Sequence, residues 1–170
     1  LLIDDLKLAK SPAEIAYIRK AAGIADAAMR TMVDVTREGM TELEIAGEMH
    51  RTMMCLGSDA AASPMNLATG PRTAYGHGMP TDRKLGPGDD INVEYGASYK
   101  RYTVTIGRQL CLGKPTARMR EIYDIQLKAC DACIAAARAG VPAVVPHEAT
   151  KKVIADAGMD RYRLHTTGYG

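Results

Sequence analysis

No apolar run in this chain approaches the length of a membrane span. The acidic pair after Ile3 breaks the only candidate stretch near the start, so no signal peptide is read there. Basic residues are not massed either. The 22 Lys+Arg stand against 20 Asp+Glu for a net charge of +2, and no basic block runs beyond a few residues. That balance argues against a nucleic-acid or membrane-surface partner. Cysteine is sparse, with four in all. Cys130 and Cys133 form a CxxC, but on an alanine-rich helical stretch. The two further ligands of a zinc site and the strand-to-helix turn of a redox motif are both missing. They read as small buried residues one helical turn apart, reduced, in a cytoplasmic protein.

The 170 residues, 46% apolar and 25% charged, suit one soluble globular domain. Ser11-Pro12-Ala13-Glu14 is a helix start: serine caps, proline fits the first turn and glutamate completes a capping box. Ile15, Ile18, Ala22, Ala25, Met29, Met32 and Val33 follow at helical spacing, and Gly39 supplies the stop. Thr41 and Glu44 open a second helix that Gly57 closes. Leu67-Ala68-Thr69 is extended. Ile91–Tyr95 and Tyr102–Ile106 alternate with period two and form an antiparallel pair across the short Ser98–Arg101 link. Glu94 and Thr105 then share the polar face, opposite Ile91, Val93, Tyr95, Val104 and Ile106.

After Pro115 the pattern returns. A long helix runs to about Arg138 and stops at Gly140; a shorter one runs from near Pro146 and stops at Gly158. Gly140 and Gly158 stand as far apart as Gly39 and Gly57, so the chain reads as a duplicated helix–helix–strand unit. The first repeat covers about 11–112 and the partial second about 113–170. The second copy lacks its strands, which predicts a domain cut short. The start at Leu1 predicts missing residues upstream.

Several segments resemble the pita-bread hydrolases: creatinase, aminopeptidase P, prolidase and methionine aminopeptidase. They are Lys10-Ser11-Pro12-Ala13-Glu14-Ile15, Gly39-Met40-Thr41-Glu42, Gly88-Asp89, Val93-Glu94-Tyr95-Gly96-Ala97, Tyr102 and His165-Thr166-Thr167-Gly168-Tyr169-Gly170. The resemblance spans nearly the whole chain in the expected order. It implies an α+β pita-bread fold with an internal helix–helix–strand duplication, the C-terminal part of the second repeat missing.

Metallopeptidases of this family hold a pair of divalent ions with two aspartates, a histidine and two glutamates. The resemblance puts the first aspartate at Glu94, the second at Thr105, the histidine at Tyr169 and both glutamates beyond Gly170. A carboxylate, a hydroxyl and a phenol do not make such a site, so no metal ligand and no cofactor is assigned. His77 lies ahead of Asp89 at the spacing of the catalytic histidine in creatinase, a metal-free relative. With Glu94 it forms the expected catalytic pair. His165, Tyr169, Arg72 and Thr105 complete the substrate-binding set. Arg72, in Thr69-Gly70-Pro71-Arg72, resembles the loop of the ectoine-hydrolase branch and reads equally as a surface arginine. Gly107 stands where creatinase has a carboxylate, which counts against creatine itself.

The resemblance thus implies a metal-independent hydrolase of a non-peptide C–N bond, acting on a small guanidino or cyclic amidine compound as a cytoplasmic homodimer. The alternatives are an Xaa-Pro aminopeptidase or dipeptidase with an atypical metal site, and a non-catalytic peptide-binding pseudo-enzyme.

Overall fold

A computed structural model describes residues 2–164, 166 and 167, with the backbone alone at Asp4. The chain divides between Lys114 and Pro115 into two compact units. The first carries α1 (Leu2–Leu8), α2 (Pro12–Val35), α3 (Glu42–Cys55), β1 (Asn66–Thr69), a 3-10 turn at Gly70–Ala74, β2 (Asp90–Tyr99) and β3 (Tyr102–Cys111). The second carries α4 (Ala117–Ala136), α5 (Val144–Asp156) and a 3-10 turn at Asp160–Tyr162.

The helix boundaries follow local chemistry. Ser11 Oγ accepts from Glu14 N at 3.3 Å while Glu14 Oε2 accepts from Ser11 N at 2.7 Å. Thr41 and Glu44 repeat the exchange at the start of α3, at 3.1 and 2.7 Å. Each satisfies two amides that a helix start leaves orphaned. The four glycines read as stops, Gly39, Gly57, Gly140 and Gly158, all have φ between 71° and 91°. In this left-handed region a side chain is costly, so glycine terminates the helix cheaply. Two boundaries differ from the sequence reading. α1 carries no start or stop signal, and α5 begins at Val144 without a side-chain cap rather than near Pro146.

The sheet order is β1-β2-β3, antiparallel throughout, with β2 central. The β2–β3 hairpin turns at Lys100 and Arg101, both with positive φ, between the paired Tyr99 and Tyr102. That is the primed-turn geometry matched to strand twist, here carried by two cations instead of the usual Asn-Gly. Against one face of the sheet lie Ile24, Ala25, Ala28 and Met32 of α2 and Ile45, Ala46, Met49 and Met53 of α3. They meet Leu67, Ile91, Val93, Tyr95 and Ala97 in one core. The chain has no Phe or Trp, and methionines fill that bulk instead. Tyr95, fully buried, donates its hydroxyl to Ala25 O at 2.6 Å. The α2 stripe is shifted in part from expectation: Ala25 and Met32 are in the core as read, but Ile15 and Val33 are exposed, and Ile24 and Ala28 are buried instead.

In the second unit α4 packs on α5. Among its described residues only Ala129 and Thr150 are buried. Cys130 is exposed and Cys133 half-buried, so the expectation of two buried thiols fails. Leu127 and Ile134 are 48% and 65% exposed. Among the described residues no helix is long and apolar enough to cross a membrane. Large apolar side chains left in water forgo about 1.5–3 kcal/mol each. A polypeptide of these 170 residues is therefore expected to self-associate in light scattering, and L127E/I134E to reduce that association. A monomer that melts in one cooperative transition contradicts this.

Candidate active site

β2 carries Glu94 at the middle of the sheet, paired with Asn66 on β1 and Gly107 on β3. Thr105 pairs with Gly96, two positions along β2. Paired residues share a face and alternate residues return to it, so Glu94 and Thr105 project together on the face away from the helices. Each of the two side chains thus stands opposite a glycine. A Cβ at Gly96 would meet Ala62 Cβ at 2.5 Å, so the chain passing over this face admits no larger residue there.

The imidazole of His77 reaches the same face from the loop after β1, with Nε2 at 3.9 Å from Glu94 Oε2. That distance suits an ion pair when the imidazole is protonated, and catalytic contacts tighten from such values when substrate enters. Both side chains keep solvent access, 66% for His77 and 36% for Glu94.

A network that periodicity did not reveal holds the loop. Glu42, in the first turn of α3, is fully buried. Its Oε1 accepts from the amide and hydroxyl of Thr69 at 2.9 and 2.8 Å. Its Oε2 accepts from the amide and hydroxyl of Thr81 at 2.9 and 2.7 Å, and from Arg72 Nη1. Arg72 Nη2 donates to Met79 O at 2.8 Å. The sequence left Arg72 between substrate ligand and surface residue. The structure gives it a third place, its guanidinium spent on Glu42, Thr81 and Met79. Beside it Arg83 Nη1 donates to Thr69 Oγ1 at 2.6 Å and pairs with Asp89 at 2.7 Å. Thr73 Oγ1 ties the loop to Asp90 Oδ2 at 2.9 Å. Gly70, at φ +52°, passes so close to Asp89 and Arg83 that a Cβ would sit 2.5 Å from Asp89 Oδ1.

Burial pushes the Glu42 carboxyl upward, but the hydrogen bonds from Thr81, Thr69 and Arg72 outweigh it and leave its pKa below the ordinary value. Asp89 is lowered by its hydrogen bonds to Arg83, against a smaller opposing effect of burial.

His165 and Tyr169 lie outside the described residues. Thr167, next to them in the closing motif, is held by His147, whose Nδ1 accepts from Thr167 N at 3.2 Å. His147 is thus tied to the motif rather than lying free on the surface.

These features lead to a family. Residues 16–170 match the profile of metallopeptidase family M24, and the chain belongs to that family. It is 32% identical to the Xaa-Pro dipeptidase of Pyrococcus furiosus, over 99% of this chain and 49% of that protein. Among solved structures, the Xaa-Pro dipeptidase from Bacillus anthracis superposes with a TM-score of 0.96 at 31% identity, covering 99% of this chain and 48% of that one. The X-Pro aminopeptidase from Thermotoga maritima gives 0.89 at 30% identity, covering 94% and 45%. The chain spans about half the length of these relatives. Its α+β architecture is the pita-bread fold of the family.

Of the five ligand positions in the metallopeptidase pattern, the described residues include two, Glu94 and Thr105. Glu94 is one carboxylate beside a threonine hydroxyl, and among the described residues no three His, Cys, Asp or Glu side chains converge as a ligand set.

Both carboxyl pKa values are lowered in the folded chain, so their stabilisation is complete above the unfolded values, near 4, and is lost as pH falls through the folded ones. Glu42→Gln should cost about 2–4 kcal/mol at pH 7, because it takes the charge from a fully buried hydrogen-bonded group and leaves the half-buried Arg72 against a neutral amide. The difference from wild type should narrow below about pH 4, where the carboxyl protonates. Urea unfolding at pH 7 and pH 3 measures this; a gap that stays constant across that range refutes it.

Proposed function

We propose that this chain carries part of the site of a hydrolase that cleaves a C–N bond in a small polar substrate, with Glu94 and His77 as the reacting pair. The observation behind this is the approach of His77 Nε2 to Glu94 Oε2 at 3.9 Å on the open face of the central strand. Glu94 takes a proton from the attacking water as its oxygen bonds to the substrate carbon. The C–N bond breaks, and the departing nitrogen leaves with the proton that His77 carries. Thr105, with His165 and Tyr169 of the closing motif, contacts the substrate. A cytoplasmic homodimer belongs to the same reading.

The relatives support an Xaa-Pro peptide substrate, because their names include Xaa-Pro dipeptidases, prolidases and an X-Pro aminopeptidase. That reverses the order expected from the sequence, in which guanidino and cyclic amidine compounds came first. One observation favours the second reading: Thr105 stands beside Glu94 where the metallopeptidase pattern has a second aspartate.

The full-length protein assayed on an Xaa-Pro dipeptide and on creatine- and ectoine-type compounds separates the readings, with manganese and with chelator. Dipeptide hydrolysis that manganese restores after chelation supports the peptidase; chelator-resistant hydrolysis of an amidine supports the other. In either case H77N and E94Q should each lower kcat about 100- to 10,000-fold. Full activity in both variants refutes the pair, and tight peptide binding without turnover points to a non-catalytic module.

A further inference from the structure

The position of His77 depends on its loop, which carries no sheet pairing of its own along most of its length. Its two ends meet on one side chain. Thr69, the last residue of β1, binds Oε1 of Glu42, and Thr81, where the loop ends, binds Oε2. Arg72, near the start of the loop, joins the same Oε2 and reaches across to Met79 O, near its end. Glu42 thus closes the loop as a clasp does, and its full burial keeps water from competing for those bonds.

Within the closed loop the residue after His77 is fixed as well. Gly78 O accepts from Leu67 N of β1 at 2.8 Å, and a Cβ at Gly78 would lie 2.9 Å from Ala68 Cβ. The loop is therefore pressed onto β1 at the point where the imidazole leaves it. β1 is in turn in register with β2, Asn66 opposite Glu94. A rigid path runs from the Glu42 carboxylate through the loop ends and β1 to the pairing of His77 with Glu94.

We propose that Glu42 is a positioning residue for the site: by closing the loop between Thr69 and Thr81 it sets the His77 imidazole against the Glu94 carboxylate. Glu42 touches neither reacting group. It acts through threonine hydroxyls and amides and through Arg72, so any group that keeps the same acceptors in place should keep His77 in place. This rests on the reading of His77 and Glu94 as a pair. It adds a dependence of that pair on a carboxylate in the first turn of α3.

The test is imidazole nitrogen spectroscopy of the full-length protein, with the His77 signals assigned through H77N. In the wild-type background, E94Q should move the His77 nitrogen resonances, because it removes the facing charge. In the E42Q background the same E94Q change should leave them unmoved, while circular dichroism reports a folded chain. T81V, which removes one hydroxyl from the clasp at nearly constant volume, is the milder form in case E42Q does not fold. It should weaken the response to E94Q, and T81S, which restores the hydroxyl, should bring it back. A full response to E94Q in folded E42Q, or in T81V, overturns the positioning role and leaves the pair intact. No response to E94Q in the wild-type background overturns the pair, and the positioning role with it.

Discussion

A fully buried carboxylate is an expensive group to fold around, and Glu42 is the one on which the candidate site depends. Taking it out of water costs several kcal/mol unless donors replace the lost solvent. Here the replacement is generous: two amides, two hydroxyls and a guanidinium converge on its two oxygens. Losing these donors together would strand a charge in the interior. The loop between β1 and Thr81 is therefore not free to drift, although past the 3-10 turn at Gly70–Ala74 it belongs to no strand or helix.

The second constraint is the packing of α2 and α3 on the sheet. Alanines at positions 25 and 28 bring α2 onto β2, and Tyr95 crosses the gap to hydrogen-bond the Ala25 carbonyl. This fixes which face of β2 is buried. With a side-chain period of two, burying Ile91, Val93 and Tyr95 forces Asn92 and Glu94 onto the other face, and the pairing with β3 brings Thr105 there. The exposed functional face follows from the core.

Much of this was legible in the sequence, because the signals were local. Ser11–Glu14 and Thr41–Glu44 are capping boxes separated by three residues, and both form. The glycine stops take the left-handed φ that the repeat reading required. The alternation in β2 and β3 gives the shared face of Glu94 and Thr105 directly. The missed features are those whose partners are remote. Glu42 reads as an ordinary acidic residue in a first helical turn, where the helix dipole favours it. Its partners lie 27, 30 and 39 positions away, and nothing in the local pattern pairs them. Arg72 was ambiguous for the same reason. The α2 stripe was legible in part: Ala25 and Met32 lie in the core and Met29 packs against it, while Ile15 and Val33 are exposed and Ile24 and Ala28 are buried instead.

The central claim is that one carboxylate closes both ends of the His77 loop at once, and amide hydrogen exchange tests it most directly. The Thr69 and Thr81 amides each donate to Glu42, through different oxygens. In the wild-type protein both should exchange slowly. In E42Q both should lose protection together, while the amides in the middle of β2 keep theirs. Protection that survives at one threonine while the other opens would mean that the two ends are held separately, and would contradict the account.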